Sequence, residues 1–183
     1  MISALATASA SVIALGIATF TEVKLRSSAK RMAGLHAATC LAQLKDIEDN
    51  ASRVATFLGF QKAYVVGFPK FPVMLPTRWE SAIGIFDAHA LVRLEALPNN
   101  AAYRAAEAIG SLRAIGEQVR EFERGNAGWG QMDAGVRKEH LDKFHAVFNE
   151  AHVTLRAALL DFQRAARLQI RPLSPEERGY VVD

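Results

Sequence analysis

The residues in this chain with most scope for chemistry are its five histidines and one cysteine. Asp142, His145, Asn149, His152 and Arg156 recur at spacings of three and four and so share a polar stripe on one helix. Asp142-x-x-His145 resembles half of a di-metal bundle motif, which requires a carboxylate-x-x-His on each of two helices. His145 and His152 are two turns apart, about 10 Å, too far to ligate one ion directly. The candidate metal residues are Asp142 and His145, completed by a histidine from another helix, with His152 as a further candidate on the same stripe. The plainer reading, a hydrated flank with local hydrogen bonds, is preferred, and no metal or other cofactor is expected.

His36 and Cys40 stand four apart and face one direction on a helix, but two ligands do not make a site. Cys40 has no partner for an internal disulfide. The acidic group Asp46, Glu48 and Asp49 reads as a solvated helix face. The loop Gly125–Gly130 has three glycines in six residues, but no strand precedes it and no Lys-Ser/Thr pair follows. It is expected to join two helices, with Trp129 as its pin. Neither a nucleophile elbow nor a His-Glu-x-x-His zinc motif occurs. Catalytic residues are thus not assigned, and enzyme activity is not the favoured reading. A formal charge of +3 without a basic stripe argues against nucleic acid as a partner.

These residues sit in a chain built for long helices: half of it is hydrophobic, and glycine and proline are confined to a few places. From Ile2 to Thr21 there is no charge, a run of about 30 Å as a helix, which matches the hydrocarbon core of a bilayer. Lys24, Arg26, Lys30 and Arg31 follow it, offset only by Glu22. The expectation is a single-pass signal-anchor in the inner or cytoplasmic membrane, N-terminus out and the remainder cytoplasmic. Ala6, Ala10, Ala14 and Ala18 form a small-residue stripe within it.

The soluble part is expected to be an antiparallel bundle of about four helices over residues 22–171, near 22–59, 77–97, 101–124 and 134–170, with 172–183 as a tail. The anchor can run on into the first helix, where Leu41, Leu44, Ala51 and Leu58 lie inward, Ile47 and Val54 lie at the edge, and Gly59 offers a stop. Thr77-x-x-Glu80 reads as a capping box and Pro98-Asn99-Asn100 as a tight break. In the third helix Ala105, Ile109, Leu112, Val119 and Phe122 face inward. The fourth carries the clearest pattern: Leu141, Phe144, Phe148, Ala151, Leu155, Ala158, Phe162 and Ala165 alternate three and four, the signature of bundle packing.

Residues 60–76 contain three prolines and are strongly apolar. Such a segment must be hidden. Packing against the second and fourth helices is the default, and Phe68, Phe71, Val73 and Met74 are the candidates for a surface that engages a partner. The function expected from all this is a membrane-tethered scaffold or interaction module, with other proteins or its own copies as partners. The alternatives are a metal- or haem-dependent bundle enzyme and a small-ligand sensor.

Overall fold

The computed structural model describes residues 2–68, 70, 71, 75, 88–125 and 128–167, with side chains from Leu15 on except at 61–63, 65 and 88. These residues form four α-helices: α1, Ile2–Val65; α2, Ala88–Arg93; α3, Ala101–Glu123; and α4, Ala134–Arg167. No strand occurs among the described residues. The capping box at Thr77 and the tail from residue 172 lie outside them.

α4 is the centre of the fold. All eight positions of its three-four repeat are buried, because a helix whose apolar residues recur at that spacing hides one continuous seam. It packs against both α1 and α3. Glu48 meets His152 and Gly59 meets His145, so numbers rise along α1 as they fall along α4. Arg104 meets Asp161 while Phe122 meets Phe144, so α3 is antiparallel to α4 as well. The five inward positions anticipated for α3 are buried, joined by Ile115 and Gly116.

α1 departs from expectation in three ways. It continues through Gly59 to Val65. A glycine costs a helix only about 1 kcal/mol, and the turns around it are held by buried Val54, Ala55 and Leu58. A Cβ at residue 59 would lie 3.3 Å from His145 Nε2, so this glycine lets α4 come close and does not end the helix. Ile47 and Val54, placed at the edge by periodicity, are 1% and 3% exposed and belong to the core. Glu48, placed on a solvated face, is buried.

The helix is 64 residues long, about 96 Å. Burial on it begins at Ala33, and every described residue from Leu15 to Met32 is exposed. The stretch from Leu15 to Met32 therefore runs about 27 Å beyond the packed region. Among the described residues no helix is long and apolar enough to cross a membrane. Of the uncharged run, the described side chains are those of residues 15–21. The all-helical expectation holds, and its membrane-spanning part gains no support from the fold.

Candidate functional site

Three clusters concentrate the polar and aromatic chemistry of the bundle, one at each end and one in the middle. The middle one is built on Glu48. Its Oε1 lies 2.9 Å from His152 Nδ1, and its Oε2 accepts from Lys45 Nζ at 2.5 Å. The imidazole is at ion-pair distance without hydrogen-bond alignment to that oxygen. Lys45 also donates to Asp49 at 2.6 Å. The Asp49 hydrogen bond, then that of Glu48, holds the Lys45 ammonium above its ordinary pKa, against a small opposing effect of burial. A carboxylate this deep must be paired to be tolerated, and the group that pairs it from across the interface is a histidine of α4.

This arrangement redistributes the candidate metal set. His152 is engaged by Glu48, and His145, two turns away along α4, packs against Gly59. Asp142 lies 3.4 Å from Lys138 on its own helix. Among the described residues no group of three or more His, Cys, Asp or Glu is placed to hold a metal ion. Cys40 is half-buried beside the core, with its sulfur 3.9 Å from Thr39 Oγ1, and His36 lines a shallow groove with Met32 and Val92.

The second cluster lies where the chain enters α3. Asn99 and Asn100 both take left-handed backbone, φ 57° and 53°, which asparagine tolerates better than other residues with a side chain. Asn99 Nδ2 donates to Asp161 Oδ1 at 3.1 Å, Arg104 Nη2 donates to Oδ2 at 2.5 Å, and Arg164 reaches Oδ1 at 3.5 Å. Asp161 is buried, and it ties the turn, α3 and α4 together. Its sequence setting, in the Leu-Leu-Asp-Phe stretch of α4, carried a signal that went unread: an acid inside an apolar run.

The third cluster is aromatic, at the opposite end. Phe71 stacks on Phe122 at 5.4 Å between centroids and meets Trp129 edge-on at 4.8 Å, with Phe144 beneath. The proline-broken segment is thus anchored through Phe71 on α3, α4 and the glycine loop; the fourth helix was an expected partner, and residues 77–87 of the expected second helix lie outside the described residues. Trp129 is the buried pin anticipated for that loop, and its Nε1 donates to the Phe68 carbonyl at 3.2 Å. Arg137 donates to the carbonyls of Val66, Phe68 and Gly130 at 3.0–3.1 Å and lies over the Trp129 ring. It satisfies carbonyls just beyond the α1 terminus, where the helix leaves them without partners. Of the four candidate interaction residues, Phe71 points inward, Phe68 is exposed, and Val73 and Met74 lie outside the described residues.

Open grooves complete the picture. One of about 320 Å³ runs between α3 and α4, floored by Ala108, Ile115 and Val147 and rimmed by Gln118, Lys143 and Glu150. Two others flank the exposed Val92. The α3–α4 groove also carries Glu107, Ser111 and Thr154 among its lining residues, whereas the two beside Val92 are mainly apolar. What the clusters do chemically is fix helix against helix. No family model matches the chain, and neither a curated protein nor a solved structure is significantly similar to it.

Proposed function

We propose that this chain is a membrane-tethered helical scaffold, in which residues 2–21 insert in the bilayer and the bundle is an interaction module on the cytoplasmic face. The observation that carries the reading is the state of α1 beyond the packed region. Leu15, Ile17 and Phe20 are each about two-thirds exposed, and at 100° per residue they spread over an arc of about 200°. A helical stretch apolar over so wide an arc needs an apolar surround. Left in water, these three side chains forgo on the order of 3–6 kcal/mol of burial. The basic residues Lys24, Arg26, Lys30 and Arg31 follow at once, all exposed, with Glu22 already paired to Arg26 at 2.5 Å. That flank is the one retained on the cytoplasmic side.

The unbroken helix from Ile2 to Val65 would transmit any tilt or rotation of the anchor to the bundle, because no joint separates them. Alkaline carbonate extraction of membranes tests the tether, with the protein expected in the pellet. Reporter fusions at the C-terminus test the side, with fluorescence from a cytoplasmic reporter and no alkaline phosphatase activity expected. Protein released by carbonate refutes the anchor, and phosphatase activity refutes the orientation.

A further inference from the structure

α1 carries a second apolar face, and it points away from the bundle. Phe57, Phe60 and Tyr64 are exposed, Phe60 at 83%, and Leu35 and Met32, the latter at the rim of the groove beside Val92, are about half exposed. Between them come exposed Thr39, Ala42, Asp46 and Arg53. At 100° per residue all nine fall within an arc of about 80°. The core residues Leu44, Ile47, Ala51, Val54 and Leu58 occupy a separate arc about 120° away. An outward stripe of aromatic side chains on a bundle helix marks a surface that meets something else.

We infer that this face pairs with the same face of a second copy of the chain, with the two α1 helices antiparallel. The argument is self-complementarity about a two-fold axis between residues 49 and 50. In that register Asp46 of each copy faces Arg53 of the other, so the two charges on the stripe neutralise each other twice. The small residues Ala42 and Thr39 face Phe57 and Phe60 of the second copy, and Leu35 faces Tyr64. Acid opposite base, small opposite large and aliphatic opposite aromatic is what an isologous interface requires. A parallel pair would instead set Asp46 against Asp46 and Arg53 against Arg53, which costs affinity. Taking about 200 Å² per aromatic side chain, the exposed parts of Phe57, Phe60 and Tyr64 with Met32 and Leu35 amount to roughly 550 Å² per copy. The pair then buries about 1,100 Å² from these side chains, just above the roughly 1,000 Å² that a specific interface should clear.

This deepens the interaction reading above by naming the partner, and it stands whether or not the anchor does. With the anchor, the two Glu22 residues of a pair lie about 80 Å apart at opposite ends. The pair then joins copies in facing membranes and not neighbours in one bilayer.

The test is the mass and affinity of the full chain in detergent, by analytical ultracentrifugation between 1 and 100 µM. A dimer is expected, and Phe60→Glu should abolish it with an unchanged thermal melt, since that ring is outside the core. Asp46→Arg and Arg53→Asp should each weaken the dimer about tenfold by replacing two attractions with two repulsions, and the double exchange should restore it. A monomer at 100 µM, or a dimer indifferent to Phe60→Glu, overturns the inference. A dimer that ignores the single charge changes overturns the antiparallel register. A benzophenone side chain in place of Phe60 should crosslink to the Thr39 region of a second copy in native membranes. Crosslinks to another protein or to lipid alone assign the face to that occupant and overturn the pairing. Carbonate extraction of the same variants reads the anchor separately, so either reading can fail without the other.

Discussion

Replacing Arg104 with methionine should destabilise the bundle more than replacing its partner Asp161 with asparagine. The asymmetry follows from burial. The Asp161 side chain is 6% exposed, whereas those of Arg104 and Arg164 are 32% and 72% exposed. Loss of the carboxylate charge removes the deeply placed ion and leaves two arginines that can turn to water. The asparagine keeps an acceptor for Asn99, so the expected cost is about 1–2 kcal/mol. Loss of Arg104 leaves a buried carboxylate with only Asn99 at 3.1 Å and Arg164 at 3.5 Å. Stranding a buried charge in this way costs about 3–4 kcal/mol. For a chain of this size that corresponds to roughly 6–16 °C in melting temperature, against about 2–8 °C for the asparagine. Urea denaturation in detergent, followed by far-ultraviolet circular dichroism, gives both values on one scale. The double variant should cost less than the sum of the two, because the stranded charge is gone. Equal costs, or a larger cost for Asp161→Asn, would refute the premise that the desolvated carboxylate governs this cluster.

Two further predictions use the other clusters. Phe71→Ser should lower stability by about 3–5 kcal/mol, because it opens a cavity between Phe122, Trp129 and Phe144. Phe68→Ser, at a residue 40% exposed, should cost only about 1–2 kcal/mol, and calorimetry of the two variants separates them. The Lys45 ammonium is held above its ordinary value of 10.5 by Asp49 and Glu48. Its stabilisation is therefore complete below pH 10.5 and is lost as pH rises through the folded-state value. Urea midpoints measured upward from pH 9 should fall more steeply above that point in the wild type than in Lys45→Met, and parallel curves would refute the assignment.

Much of the fold was written in local pattern. The eight-position repeat of α4 named its buried face without error, and Ala105, Ile109, Leu112, Val119 and Phe122 did the same for α3, because a helix has one period and one inward side. The breaks at Pro98-Asn99-Asn100 and in the glycine loop were equally legible, since left-handed backbone needs residues that tolerate it. α1 resisted because its apolar residues lie on two faces, one for the bundle and one outward, so no single stripe dominates and its core edge was misplaced at Ile47 and Val54.

Only the tertiary structure decided the fate of the charges and of Gly59. Glu48 sits among Asp46 and Asp49, nearer than either to the core arc of α1 but still outside it. It is buried because α4 brings His152 against it, and the chain between them contains most of the fold. Asp161 is buried because the Asn99 turn and Arg104 arrive over it. Gly59 is read by sequence as a stop, yet the His145 side chain of α4, 3.3 Å from where a Cβ would stand, makes it a point of close approach. Phe71 and Phe60 are the same residue type in one apolar region, and one is in the core while the other faces out. Period and propensity are properties of a few consecutive residues and survive in the sequence. Burial is a relation between residues distant in the chain, and it exists only once the helices have met.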